Sequence, residues 1–328
     1  MPKPLQKQSI RNIGIYGVIR QKEVDDSLIP EGAVTEVINF HFDRKGVATT
    51  RPGMTAIGAS ASAGNSCVGL HNVQSATAIA VFDNSGTSAT IYSFTGSSWV
   101  VSLDGGTSGV RMRFVDFGSY SIVANFSYNT LSSMRFWDGS TRNWRFTGNP
   151  INPQNMWGYN PQLLEVYKSR VYAAGDTSIA GNPSRLFFSS VITAAGNITW
   201  DPAVDFVDIN PGDGEGITGL KRFSLELLTF KPNYIYRFRT SGVDPDPLVK
   251  IGTRSHESIV EGKRGIYFHH DTGFYRYTGG YPTEISRPIS DVVEAIPFGT
   301  YDDIVGWKDS DHIYWSVGDL TLAEPKGN

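Results

Sequence analysis

An all-β fold assembled from a repeated four-stranded unit is what the sequence predicts. Three observations predict it. Apolar residues come in short alternating runs rich in Val, Ile, Phe, Tyr and Trp, broken by Gly, Asn, Asp and Ser. These runs recur in groups of four at a period of 39 to 51 residues. A helical period is confined to one short stretch, Ile289, Val292, Val293 and Ile296.

The groups follow one another in order. The first joins runs at 68–73 and 78–82 to Ile91-Tyr92-Ser93-Phe94-Thr95-Gly96 and Ser98-Trp99-Val100-Val101. The second joins 112–117 and 121–126 to Met134-Arg135-Phe136-Trp137-Asp138-Gly139 and Asn143-Trp144-Arg145-Phe146. The third joins 163–167 and 170–174 to Leu186-Phe187-Phe188 and, after a longer turn, Asn197-Ile198-Thr199-Trp200. The fourth joins 217–223 and 225–230 to Ile235-Tyr236-Arg237-Phe238 and Pro247-Leu248-Val249-Lys250. The fifth joins 258–262 and 265–269 to Phe274-Tyr275-Arg276-Tyr277-Thr278-Gly279 and Thr283-Glu284-Ile285-Ser286. In each, an aromatic anchor closes the third strand: Phe94, Trp137, Phe188, Phe238 and Tyr277, spaced by 43, 51, 50 and 39 residues. Four strands at this period are the spacing of a β-propeller blade. Radial stacking covers both faces of each meander and leaves only short edges.

A sixth group begins at 304–307 and 312–315 and then passes into the polar segment 324–328. The same signature stands near the start, in Ile38-Asn39-Phe40-His41-Phe42-Asp43-Arg44-Lys45-Gly46 followed by 47–50. The expected architecture is a six-bladed propeller over 28–320, closed by pairing this N-terminal hairpin with the last two strands. Phe40 and Phe42 would then share a sheet with Ile304 and Tyr314. The alternative is that residues beyond 328 in a longer product complete the blade. A basic arm, 1–27, and a polar tail, 321–328, flank the domain.

Composition bounds the function. Gly and Pro together are 52 of 328 residues (35 plus 17), above the average yet short of low-complexity chains, and 12% of residues are aromatic. Disorder is therefore not expected. A single cysteine, Cys67, excludes an intrachain disulfide framework and a thiolate zinc cluster; on its apolar strand it is expected to be buried and inert. No apolar run reaches transmembrane length, and residues 1–10 lack the apolar core of a secretory signal, so no membrane insertion is expected. A net charge of −3 gives no case for bulk nucleic-acid binding. The charge is unevenly placed, however. Residues 1–22 hold Lys3, Lys7, Arg11, Arg20 and Lys22 with no acid, whereas 291–328 hold eight acids against Lys308 and Lys326. Two solvated ends explain this, and so do complementary ends that meet within a chain or between subunits.

The segment Leu28-Ile29-Pro30-Glu31-Gly32-Ala33, then Glu36-Val37-Ile38-Asn39-Phe40-His41-Phe42-Asp43-Arg44-Lys45-Gly46, then Arg51-Pro52-Gly53, resembles the opening of propeller-type virion proteins of tailed bacteriophages. Asp213-Gly214-Glu215-Gly216-Ile217-Thr218-Gly219-Leu220, Leu227-Leu228-Thr229-Phe230-Lys231 and the stretch from Ser258 through Tyr275-Arg276-Tyr277 to Ile289 continue the resemblance, which spans 10–296. It implies a tail, neck or nozzle component arranged as a ring around the DNA channel. Read without it, the same residues are fold devices: Pro30-Glu31-Gly32 makes a turn, and Pro52 ends a strand.

Motifs for chemistry are sparse. His256-Glu257 opens like a zincin helix, but Val260 stands where the second ligand belongs. His269-His270 lies in a strand, where neighbours point to opposite faces. Gly64-Asn65-Ser66-Cys67-Val68 fails the nucleophile-elbow pattern at its last position. Asp208-Ile209-Asn210-Pro211-Gly212-Asp213-Gly214-Glu215 offers oxygens to calcium but misses the EF-hand spacing, and a solvated turn is expected. Trp137-Asp138 and Trp200-Asp201 lack the Gly-His partner of WD repeats. The Arg-Ile-Pro order and the aspartate boxes of sialidases are missing; Arg287-Pro288-Ile289 reverses the order.

The expectation is a non-enzymatic structural subunit of a tailed-phage virion, with no catalytic residue, cofactor or metal. It would assemble in the host cytoplasm into a ring, expected to be hexameric, and contact other tail, neck or portal proteins while DNA passes transiently and non-specifically. Lys3, Lys7, Arg11, Arg20 and Lys22 would form the interface. The alternatives are a monomeric module binding a host glycan or protein, and, behind it, a sialidase-like propeller hydrolase.

Overall fold

The computed structural model describes residues 40–42, 48–50, 66–73, 77–84, 88–126, 134–137, 144–145, 151–156, 158–178, 182–193, 196–239, 247–309 and 312–318. Strands dominate, and five sheets are complete four-stranded antiparallel meanders. Ahead of them β1 (Phe40–Phe42) and β2 (Ala48–Thr50) form a hairpin with Phe40 opposite Thr50 and Phe42 opposite Ala48. The first meander contains β3 (Ser66–Val73), β4 (Thr77–Asp83), β5 (Ala89–Phe94) and β6 (Trp99–Gly106). The second contains β7 (Arg113–Phe117), β8 (Tyr120–Ala124), β9 (Arg135–Trp137) and β10 (Trp144–Arg145). The third contains β11 (Leu163–Tyr167), β12 (Arg170–Ala174), β13 (Arg185–Phe188) and β14 (Phe206–Asp208). The fourth contains β15 (Gly219–Phe223), β16 (Glu226–Phe230), β17 (Ile235–Phe238) and β18 (Pro247–Val249). The fifth contains β19 (Val260–Gly262), β20 (Gly265–His270), β21 (Gly273–Tyr277) and β22 (Thr283–Glu284). Last comes the hairpin of β23 (Val305–Asp309) and β24 (His312–Ser316).

Burial explains why the meanders stack. In β8, Ile122, Val123 and Ala124 are consecutive and all fully buried. Successive strand residues point to opposite faces, so both faces of that sheet are covered. Leu227, Leu228, Thr229 and Phe230 of β16 repeat the pattern. The apolar clusters interleave accordingly. Val81, Ile91 and Met112 meet Val123, Trp137 and Trp144 between the first two sheets. Ile122 and Phe136 meet Leu164, Val171 and Phe187 between the next two. Leu186 and Tyr172 meet Leu220, Leu227 and Phe238; Phe230 and Leu228 meet Phe268 and Tyr277. Finally Phe274 meets Ile304 and Trp315. This is the β-propeller arrangement, with the first strand of each meander innermost.

Several expectations need correction. Asn197–Trp200 is not the fourth strand of the third meander; β14 takes that place, with Arg185 opposite Asp208 and Leu186 opposite Val207. The reason is packing: Ile198 and Trp200 are buried in the core shared with the second sheet, and the connection folds back on itself through Ser190 N–H to Thr199 O and Thr193 N–H to Asn197 O. Cys67 is exposed, not buried, because it lies in the exposed first residues of the innermost strand of the first sheet, where Leu70 is also 72% exposed. The helical period at 289–296 appears as a 3-10 turn over Arg287–Ile289 followed by a single-turn helix, α1 (Ser290–Glu294). Ile304 lies just before β23 and is fully buried in the last core, while Tyr314 sits in β24. Among the described residues β1–β2 and β23–β24 remain two separate two-stranded sheets, with no ladder between them.

Close approach of chain segments places one glycine beyond substitution. A Cβ at Gly252 would collide with the carbonyl oxygen of Lys231 and lie 2.6 Å from Tyr234 N. At Gly280 a Cβ would meet nothing within 4 Å. Gly252→Ala is expected to destabilise the fold by roughly 2–4 kcal/mol, and Gly280→Ala to leave it within about 1 kcal/mol; denaturant unfolding of both variants checks this.

Candidate functional site: a braced axis

Charged residues on and just ahead of the innermost strands are paired from one sheet to another. Arg113 in β7 donates from Nε to Glu257 Oε1 at 2.6 Å and from Nη2 to Oε2 at 2.9 Å. Glu257 lies in a 3-10 turn, His256–Ser258, just before β19. The pair therefore joins the second and fifth sheets, with a third bond from Arg113 Nη1 to Gln162 O of the third. Arg111 extends the brace: Nη1 stands 3.6 Å from Glu257 Oε2, and Nη2 donates to Asp303 Oδ1 at 2.9 Å, just ahead of β23. Lys221 of β15 lies between Glu165 of β11 at 3.7 Å and Glu261 of β19 at 3.9 Å. A two-pronged Arg–carboxylate fork is both stronger and more directional than a point-charge pair.

Electrostatics follow from enclosure. Burial would push the Glu257 carboxyl up, but the hydrogen bonds and charge of Arg113 outweigh it and hold it at about 2. Neighbouring His256 is pushed down to about 4, first by burial and then by the Arg113 charge. It is thus a neutral ring, placed to accept the Leu220 N–H at Nδ1. The incomplete zincin pattern at His256-Glu257 is accordingly a structural corner: its carboxylate is an arginine partner.

The calcium-like turn proves to hold an internal cation. Lys231, fully buried, donates from Nζ to both carboxylate oxygens of Asp213 at 2.7 and 2.8 Å, to Asn210 O at 3.0 Å and to Ser184 Oγ at 3.2 Å. Burial pushes the Asp213 carboxyl up, yet the bonds from Lys231 and from the Glu215 N–H bring it below the usual range. The oxygens that the sequence offers to a metal are bonded to an ammonium instead. The missed partner, Lys231, was visible only as a lysine ending an otherwise apolar strand run.

His269 and His270 point to opposite faces and are both buried, His269 edge-on to Phe274 and Tyr301. Burial lowers both, His269 to about 4. Among the described residues no three His, Cys, Asp or Glu converge as metal ligands, and no helix is long and apolar enough to cross a membrane. Lys3, Lys7, Arg11, Arg20 and Lys22 lie outside the described residues. Phe40 and Phe42 fall in β1; the structure does not bring β1 into a ladder with β23, which follows Ile304, or with β24, which holds Tyr314.

No protein-family model and no curated protein sequence matches the chain. Similar solved structures are propeller-like. The extracellular domain of a hybrid two-component system from B. thetaiotaomicron is 8% identical at a TM-score of 0.47, over 70% of this chain and 29% of that one. A chain of the mitotic checkpoint complex is 10% identical at 0.41, over 65% and 62%. YCF48 bound to D1 peptide is 11% identical at 0.41, over 69% and 66%. The chain thus spans under a third of the first of these and less than two thirds of the second. At these scores the likeness carries no functional argument.

Two outcomes are expected. Arg113→Met should cost about 3 kcal/mol, because it leaves Glu257 enclosed without its fork. Arg287→Gln, at an arginine that is 80% exposed in its pair with Glu284, should cost under about 1 kcal/mol; chemical denaturation compares them. Stability should also fall on acidification. His256 and His269 are lowered from 6.5 to about 4, so the unfolded chain binds more protons as pH drops from 6.5 to 4. Glu257 adds a further loss from 4.5 toward 2. A melting series from pH 7 to pH 3 reads this out, and a flat profile contradicts it.

Proposed function

We propose that the chain is a structural subunit of a tailed-phage virion, one of a ring in the tail, neck or nozzle. The observation that carries this reading is the braced axis. Arg113 of β7 is bonded to Glu257 ahead of β19, Arg111 to Asp303 ahead of β23, and Lys221 of β15 lies near Glu165 of the adjacent β11, pairs that brace the sheets against one another as in a mechanical part. The resemblance of 28–53, 213–220 and 258–289 to propeller virion proteins supports it. DNA would then run through the ring formed between subunits, because side chains cross each subunit's own axis. The reading assigns the chain no catalysis, cofactor or metal. Assembly takes place in the host cytoplasm, with the basic arm 1–27 docking on a neighbouring component.

The same proposal includes six blades and closure by the β1–β2 hairpin. Both flanks of the remaining gap support it: Leu70 on β3 is 72% exposed, Trp307 on β23 is 41% exposed, and among the described residues β24 pairs only with β23. A hairpin of the same signature is the cover that these flanks lack. A monomeric module for a host glycan or protein is the second reading, and exposed Trp307, stacked on half-buried Tyr314, favours it.

Two truncations test the proposal in the phage that encodes the chain. Deleting 1–22 is expected to leave the melting temperature unchanged and to abolish incorporation into particles, read by antibody labelling of purified virions. Deleting 1–53 is expected to lower the melting temperature by several degrees. Full titre with the first truncation removes the docking role; unchanged melting with the second removes the closure. Absence of the intact chain from virions, with binding on a glycan array, would favour the module.

A further inference from the structure

All the meanders point the same way. In each, the first-to-second and third-to-fourth turns lie at one end, here the turn end, and the other connections lie at the opposite, linker end. Contacts between neighbours confirm the alignment. Tyr167, at the close of β11, hydrogen-bonds Leu225 O in the β15–β16 turn, and Tyr277, at the close of β21, hydrogen-bonds Glu226 Oε2. At the linker end Ser255 Oγ donates to Ile304 O.

The two ends differ in chemistry. At the turn end, a contiguous aliphatic patch spans the third and fourth sheets. Leu225 is 72% and Val204 71% exposed, and Val191 and Ile192 are exposed at the same end. Continuity comes from Ile192 N–H to Ser169 O and from Tyr167 to Leu225. Exposed Lys168 and Arg222 rim the patch; Glu226 is held by Arg237 and Arg239, and Asp201 lies at the outer margin. Apolar side chains of this kind, contiguous and ringed by charge, mark interaction surfaces. At the linker end the most exposed large apolar side chain among the described residues is Phe298, 63% exposed, with Arg254 stacked 4.7 Å from its ring; Ile285 is 37% exposed. Exposed acids close to Phe298 in sequence are Glu294, Asp302 and Asp303, the last of them held by Arg111, while Arg254 on the Phe298 ring is paired with Asp271.

We infer that the occupant of the aliphatic turn-end patch is the Phe298 surface of a second copy of this chain. The match is twofold: a projecting aromatic against an aliphatic floor, and acids against a basic rim. The contact is heterologous, since two different surfaces of one chain meet. It generates a closed ring if the rotation per copy closes, and an open filament if it does not. The inference rests on the oligomeric reading above and names the surfaces through which copies meet.

Two exposed substitutions test it, each checked for an unchanged melting temperature. Leu225→Glu disables the turn end, and Phe298→Glu disables the linker end. The full-length chain is expected to associate with rising concentration in light scattering, less so in high salt. Each variant alone should be monomeric. Mixed in equal amounts they should form a one-to-one dimer, because one intact patch of each kind remains. A monomeric wild-type chain, association of either variant alone, or a mixture that stays monomeric would overturn the inference. The virion reading is judged separately, by labelling of particles, so the two can fail independently.

Discussion

Both faces of every meander in this chain are apolar, and a four-stranded sheet cannot cover both by itself. That constraint organises the molecule. Three consecutive fully buried residues in β8, and four in β16, have no home unless a neighbouring sheet lies on each side. The interleaved cores from Val81 to Trp315 are the consequence. Stacking about an axis crowds the innermost strands, and the charged residues there come within reach of one another.

The axis follows from that crowding. Charges enclosed at the centre must be paired, since an isolated buried charge costs several kcal/mol. Arg113 and Glu257 satisfy this condition between the second and fifth sheets, from positions 144 residues apart in sequence. Lys231 and Asp213 satisfy it between two neighbouring sheets. In both places, residues that could serve a ligand are engaged with each other. Such pairs contribute less to net stability than to holding one arrangement of the sheets, because breaking one leaves its partner stranded.

Around this braced centre the two ends of the disc are left chemically unlike. The turn end shows aliphatic side chains with a basic rim, and the linker end shows Phe298 among acids. An object stiff along its axis and different at its two ends is suited to directional assembly. The gap between β24 and β3 is the one place where the stacking logic is unmet among the described residues, with Leu70 and Trp307 exposed on either side.

Strand content, the four-strand period and the aromatic anchors were legible in the sequence, because alternation and turn residues act over a few positions. Phe94, Trp137, Phe188, Phe238 and Tyr277 all close or nearly close a third strand. The choice of β14 over Asn197–Trp200 was not legible: both segments are apolar enough for a strand, and only the demand of the neighbouring core for Ile198 and Trp200 separates them. Cys67 was misjudged for the same reason, since exposure on an innermost strand depends on what lies across the gap. The axial brace was invisible too. Nothing local links Arg113 to Glu257; the ring geometry alone brings them together, and pairing there is enforced by enclosure. The sequence by itself determined which segments become strands and how they group. Tertiary structure decided which charges meet, because that depends on distances set by the whole stack.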